Sequence, residues 1–304
     1  MSFIGFTPEA ENILLRQNVK AQKVISLNVI HVGVDVMVKE ITFPDQNYLL
    51  QNLLVANIKV EGLLNVEGQG KLFNLLSTLS EKVEEITISF DMLPSQRQER
   101  KATNADYNAL ELFFRLLKEA SRGRVKKIKV LDIHNVKSVH QIKEAFGIEV
   151  LSTSVLDTLE CSGEEVDFVV LPDKGLAQKV LALPSFEKFQ SKYKVLVGDK
   201  SRDPSTGLLK YNGIHSFQGA SIQEDLGVYS IKVIDDICDG GMTFILLAEK
   251  LRELFPNASL ELIVSHGIFS GDKLSELFKK YSRVSCTNLY NSVNTPKIEG
   301  TGAL

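Results

Sequence analysis

Six short runs rich in β-branched residues, separated by segments with a helical period, constrain this chain more than any other feature. They are ITISFD (86–91), IKVLDI (128–133), VDFVVL (166–171), KVLVGD (194–199), YSIKVI (229–234) and LELIVS (260–265). Between the first two, Tyr107, Leu110, Phe114 and Leu117 recur at spacings of three, four and three, the mark of a helix with one buried face. An earlier helix is indicated by Leu72, Leu75, Leu76, Leu79 and Val83, and helical runs follow the third, fifth and sixth strands. Strands buried on both faces and separated by helices predict an α/β chain with mostly parallel sheets flanked by helices. A stretch at 147–165, polar in its second half, predicts two domains of similar size, residues 1–148 and 149–304. No sequence repeat relates them. The segment DKSRDPSTGLLKYNG (199–213) is polar and aperiodic, which predicts a mobile lid, and the tail from 294 reads as frayed.

Of the 304 residues, 44% are hydrophobic and 24% charged, which suits a compact soluble globule. A net charge of −3 argues against broad nucleic-acid binding, though local basic clusters can still hold small phosphates. No apolar run is long enough to cross a bilayer and no leader pattern opens the chain. Cys161, Cys238 and Cys286 are far apart, odd in number and without metal-ligand spacing, as expected of reduced thiols in a cytoplasmic protein.

The stretch VIDDICDGGMTF (233–244) carries the chemistry. A strand runs into Asp235 and Asp236, then Asp239, Gly240, Gly241 and Met242, and a helix beginning at Thr243. Ligands in open α/β sheets bind beyond the carboxyl ends of strands. Successive loop N–H groups and a helix start make an anion cradle there, and glycines permit close approach. Paired acids cannot serve a phosphate, so they suit sugar hydroxyls or hydrated magnesium.

This loop resembles the phosphoribosyl-diphosphate loop of type I phosphoribosyltransferases and ribose-phosphate diphosphokinases, commonly D-D-x-x-D-T-G-G-T. Further segments are similar to the diphosphokinases in particular. LPSQRQERKA (93–102) resembles Y-A-R-Q-D-R-K, which implies ATP contacts at Arg97, Gln98, Glu99, Arg100 and Lys101. FPDQN (43–47) resembles F-S-D-G-E, which implies an adenine-contacting corner at Phe43, Asp45 and Asn47 that reaches a neighbouring subunit. VLDIHN (130–135) makes His134 a candidate for ATP phosphates or magnesium, and LPDKG (171–175) makes Asp173 a magnesium ligand beside Gly175. GDKSRDP (198–204) resembles I-D-K-R-R-P, which implies Lys200 and Arg202 as the cations of a flexible catalytic loop. SHGIFSGDKLSELF (265–278) resembles T-H-x-x-F-S-G, for which a structural or interface role is expected.

Together these segments span 43–271 in the family's order. The resemblance implies two type I phosphoribosyltransferase-like domains, an ATP-binding one followed by a ribose-phosphate-binding one. It implies transfer of the β,γ-diphosphoryl group of ATP to the anomeric hydroxyl of ribose 5-phosphate, with Mg2+, in a homo-oligomer. The turn departs from the pattern: Gly240 stands where a hydroxyl donor is usual, and Met242 where glycine is usual. Fewer donors and more room fit a bulkier 5-substituent, such as that of ADP-ribose, whose diphosphate product would be a precursor for NAD resynthesis. A third alternative is a silent homologue that regulates an active diphosphokinase. The first forty residues and the end of the chain do not match the family's pattern, so its hexamer and allosteric regulation are not carried over.

Overall fold

The computed structural model describes residues 3–4, 24–32, 35–42, 55–60, 66–81, 83–98, 107–156, 159, 166–202, 209–217, 226–290 and 298–300. The chain divides into two compact units, residues 1–153 and 154–304. The first contains β1 (Phe3–Ile4), β2 (Val24–Val32), β3 (Asp35–Thr42), β4 (Val55–Val60), β5 (Glu85–Phe90), β6 (Val125–Val130) and β7 (Glu149–Ser152). The second contains β8 (Phe168–Leu171), β9 (Lys194–Arg202), β10 (Leu209–Ser216), β11 (Ser230–Cys238), β12 (Ser259–Gly267), β13 (Arg283–Leu289) and β14 (Ile298–Gly300).

The sheet orders are β3-β2-β1-β4-β5-β6-β7 and β10-β9-β8-β11-β12-β13-β14. Raising every strand number of the first by seven yields the second. In each sheet the neighbouring strands are parallel except at one edge, β2–β3 and β9–β10. The halves therefore repeat one another in topology, although no repeat is visible in their sequences. The mostly parallel α/β architecture agrees with the sequence expectation.

In the first unit, helix Val66–Leu79 buries Leu72, Leu75, Leu76 and Leu79. Val83 lies beyond that helix and is buried all the same. Helix Ala109–Ala120 buries Leu110, Phe113, Phe114 and Leu117, but Tyr107 lies before it and is 64% exposed. The reason is local: Asn108 caps the helix, its Oδ1 accepting the Glu111 N–H at 2.9 Å, so the helical period starts after Tyr107. Beyond the division expected at 148/149, β7 pairs in parallel with β6.

In the second unit, Ile231, Lys232, Val233 and Ile234 are all buried, as a strand covered on both faces must be. Alternate residues of β11 and β12 enter two apolar clusters. Helix Met242–Leu254 contributes Phe244, Leu247 and Leu251 to one cluster. Helices Lys174–Leu181 and Phe186–Lys192 contribute Leu176, Val180 and Phe189 to the other.

Both ends of the segment expected as a mobile lid, 199–213, are strand, and 203–208 lie outside the described residues. Residues 199–202 continue β9, and 209–213 open β10, which pairs back antiparallel with Lys200 opposite Tyr211. Pairing satisfies backbone groups that a free loop would leave to water.

Candidate active site

In the second sheet β8 lies between β9 and β11, so the chain winds one way from β8 and the other way from β11. The carboxyl ends of β8 and β11 thus flank a topological switch point, where open α/β sheets bind ligands. β8 runs into Pro172 and Asp173, β9 ends with Lys200 to Arg202, and β11 carries Asp235 and Asp236 just before Asp239.

Asp173 serves two neighbours. Its Oδ1 accepts the Leu176 N–H at 2.9 Å, capping helix Lys174–Leu181, and its Oδ2 meets the ammonium of Lys200. One residue along, Lys174 pairs with Asp199 at 2.7 Å, and that hydrogen bond lowers the Asp199 pKa. The helix start and the end of β9 are therefore stitched together twice.

Close backbone approach makes this possible. A Cβ on Gly198 would stand 2.6 Å from the Pro172 carbonyl oxygen and equally close to the Tyr211 ring. The Tyr211 hydroxyl donates to that same carbonyl at 2.9 Å. Gly198→Ala is expected to force β8 and β9 apart, costing about 1–3 kcal/mol, and to loosen Asp173 from Lys200. A thermal melt identical to wild type would show that the strands accommodate the methyl group.

After β11 the chain turns through Asp239 and Gly240 to Gly241, whose φ of +78° favours glycine. Gly241 opens helix Met242–Leu254, which has no side-chain cap. Its carbonyl accepts from Phe244 and Ile245, both at 3.0 Å. An uncapped helix start at a strand end presents the N–H groups that bind an anion. Gly240 is exposed, with no atom within 4 Å of where its Cβ would be; Met242 is 38% exposed, and Thr243 half-buried.

The SHGIFSG segment, whose chemistry its sequence left unexplained, holds this turn. Ile268 and Phe269 donate their N–H groups to the Cys238 carbonyl at 2.9 and 3.1 Å, and the Ser270 hydroxyl donates to Asp239. Phe269 adopts φ +49°, a left-handed strain of the kind that gathers at functional sites. His266 is buried, its Nδ1 3.0 Å from the Tyr290 hydroxyl.

The acid pair is asymmetric. Asp236 is buried and meets the buried Lys179 ammonium at 3.5 Å. Asp235 is half-buried and accepts the Asp236 N–H at 2.8 Å. Burial, then the Asp236 charge and a carboxyl–carboxyl hydrogen bond with it, and then Asp173, push the Asp235 pKa well above the usual carboxylate range. Burial and the charges of Asp173 and Asp235 also raise the Tyr211 phenol. The Cys238 thiol is raised by burial and then by Asp235 and Asp239, so it is an inert core group.

In the first unit, the turn after β5 and the loop after β6 are joined by a residue that sequence reasoning missed. Gln96 is 1% exposed and its Oε1 accepts the His134 N–H at 3.1 Å. This brings together the exposed Arg97 and Gln98 and the exposed His134 at the ends of adjacent strands. Ser95 and Asp132, beside them, both take positive φ, +57° and +44°. Nothing in the local sequence marks Gln96 as different from Gln98; only burial does. Phe43, Asp45, Asn47, Glu99, Arg100, Lys101 and Cys161 lie outside the described residues, and of Arg202 the backbone alone is described, opposite Leu209. Among the described residues no three His, Cys, Asp or Glu side chains gather as a metal cage, and no helix is long and apolar enough to cross a membrane. A groove of about 550 Å³ lined by Glu81, Glu84, Arg122 and Arg124 lies at the amino ends of β5 and β6, the edge away from these loops.

No family model matches the chain, and no curated protein matches it. Solved structures do. The phosphoribosylpyrophosphate synthetase of Mycobacterium smegmatis superposes with a TM-score of 0.70 at 18% identity, over 99% of this chain and 93% of that one. The chain has the fold of a phosphoribosylpyrophosphate synthetase. That likeness extends through both units, and at 18% identity it speaks for the fold, so the activity has to be argued from the site.

Proposed function

We propose that the protein is an ATP-dependent diphosphokinase that converts ribose 5-phosphate and ATP to phosphoribosyl diphosphate and AMP. The observation that carries this reading is the meeting of three features at one switch point. They are an uncapped helix start after an acid-rich strand end, the acid pair itself, and an Asp173–Lys200 pair across the adjacent strand ends. The first suits a sugar phosphate, the second the sugar hydroxyls, and the third a transferring diphosphoryl group.

In this reading the anomeric oxygen attacks the β-phosphorus in line. The bond from that phosphorus to the oxygen bridging the α- and β-phosphates breaks, AMP leaves with the bridging oxygen, and the hydroxyl proton passes to solvent. Lys200 and Arg202 stabilise charge growing on the transferring oxygens. Asp235 and Asp236 orient the ribose diol, and Asp239 to Thr243 receive the 5-phosphate. ATP is assigned to Arg97, Gln98, Glu99, Arg100, Lys101 and His134, with Phe43, Asp45 and Asn47 supplied by a second copy of the chain. Magnesium, when bound, neutralises phosphate charge. An ion carried chiefly by phosphates needs only one or two carboxylates, a role proposed for Asp173, with His134 assigned to the ATP phosphates.

One observation favours a second acceptor, ADP-ribose, through the same transfer. The space around Gly240 is open and Met242 is partly exposed, so a substituent continuing beyond the first phosphate meets no wall there. Both readings are tested by AMP formation from ATP and magnesium with each acceptor. Turnover with ribose 5-phosphate alone supports the first, and with ADP-ribose alone the second. AMP formation with neither, above a Lys200→Ala control, would favour a non-catalytic regulatory partner. Gly240→Thr has room for its side chain and restores a hydroxyl donor. It is expected to shift the kcat/KM ratio at least about tenfold towards ribose 5-phosphate. An unchanged ratio would remove this turn from acceptor choice.

A further inference from the structure

Two adjacent carboxylates at the end of a buried strand need a counter-charge, and the structure contains one in the protein itself. Lys179 lies on helix Lys174–Leu181, where Leu176, Ala177 and Val180 are also buried. Its ammonium stands 3.5 Å from Asp236 Oδ2, with the two side chains only 6% and 5% exposed. Lysine is almost never this buried unless paired, and removing either partner strands the other charge in a poor solvent. The helix that carries Lys179 begins at Asp173, which caps it and meets Lys200. One rigid element therefore touches the acid pair at one point and the Asp173–Lys200 pair at another.

We propose that Lys179 is a positioning residue for the acceptor sugar. It keeps the Asp236 carboxylate charged and fixed in orientation, so that the acid pair carries one compensated charge and meets the sugar diol preorganised. Through its helix it also sets that pair in register with Asp173. The inference rests on reading residues 235–243 as the acceptor site. The buried member of the pair has its counter-cation within the protein. The remaining member, Asp235, is half-buried and accepts the Asp236 N–H at 2.8 Å.

The test uses the full chain with Lys179→Met and Lys179→Arg, titrated calorimetrically with ribose 5-phosphate, with ADP-ribose, and separately with ATP and magnesium. Lys179→Met is expected to weaken binding of the preferred sugar at least about tenfold while ATP binding stays within about twofold. Lys179→Arg, which keeps the charge, is expected to recover most of that loss. Should Lys179→Met fail to fold, Lys179→Gln, with a polar but uncharged head, takes its place. Equal losses for sugar and ATP, or no rescue by arginine, would reduce Lys179 to a structural role and overturn the inference. So would sugar binding by Lys179→Met at wild-type strength, and in that case the acceptor reading itself would stand. Wild-type protein that binds neither sugar would overturn the acceptor reading and this inference with it.

Discussion

Lys200→Ala is expected to lower AMP formation by about two to four powers of ten at saturating substrate, with far smaller changes in either KM. Phosphoryl transfer asks little covalent chemistry of a protein; positioned positive charge is the main thing it supplies. Lys200 is placed to supply it, at the end of β9 beside the switch point, with its side chain 25% exposed against Asp173. Both side chains of the Lys200–Asp173 pair are partly exposed, so its loss should move the melting temperature little. The split between a large kcat effect and a small stability effect is the diagnostic outcome. A loss of less than about tenfold would place the transferring group elsewhere.

Asp235→Asn is expected to act in opposite directions on stability and on function. The native pKa of Asp235 is raised by burial, by Asp236 and by Asp173. A carboxyl whose folded pKa exceeds its unfolded value binds more protons when folded. Its contribution is therefore fully present below the unfolded pKa and is lost as pH rises through the folded one. Near neutrality the wild-type protein carries that cost, which asparagine removes. Asparagine also keeps an oxygen that can accept the Asp236 N–H, now bonded at 2.8 Å. The variant should melt a few degrees above wild type at pH 7, with the gap closing in acid towards the ordinary carboxylate range. It should also lose acceptor binding by at least about tenfold, since one carboxyl oxygen of the pair proposed to orient the sugar diol is replaced by an amide nitrogen that cannot accept a hydrogen bond. The groups around the carboxyl are Asp236, Asp173, Tyr211 and Cys238, with Lys179 beyond Asp236, and none is altered by the substitution. A pH-independent gap, or a destabilised variant, would show that Asp235 is not the strained member of the pair.

Much of the fold was legible because local patterns carry it. Each of the six β-rich runs overlaps a strand, though the strand bounds differ, and the helix after Asn108 follows from a cap and a period of apolar residues. The acid-rich turn was legible for a similar reason: its strand, glycines and helix start are contiguous, so one short stretch encodes a complete strand–turn–helix. Where reading went astray, hydrogen bonding that the apolar period does not show was responsible. Tyr107 lost its helical position to the Asn108 cap beside it, and both ends of the segment expected as a lid are strand because β10 pairs with β9.

The linking residues were not legible at all. Gln96 joins two loops 38 residues apart, Lys179 reaches Asp236 across 57 residues, and Ser270 reaches Asp239 across 31. In sequence these are an ordinary glutamine, lysine and serine, and only their tertiary contacts separate them from their neighbours. The matching strand orders of the two units escaped sequence reading too, since a parallel sheet accepts almost any apolar β-branched residue at a buried position. By itself the sequence determined which segments are strands and helices and where the acids and glycines lie, because those depend on neighbours in the chain. Tertiary structure decided which of those acids is compensated, by which lysine, and on which helix, because a buried charge depends on what folding brings within a few ångströms of it.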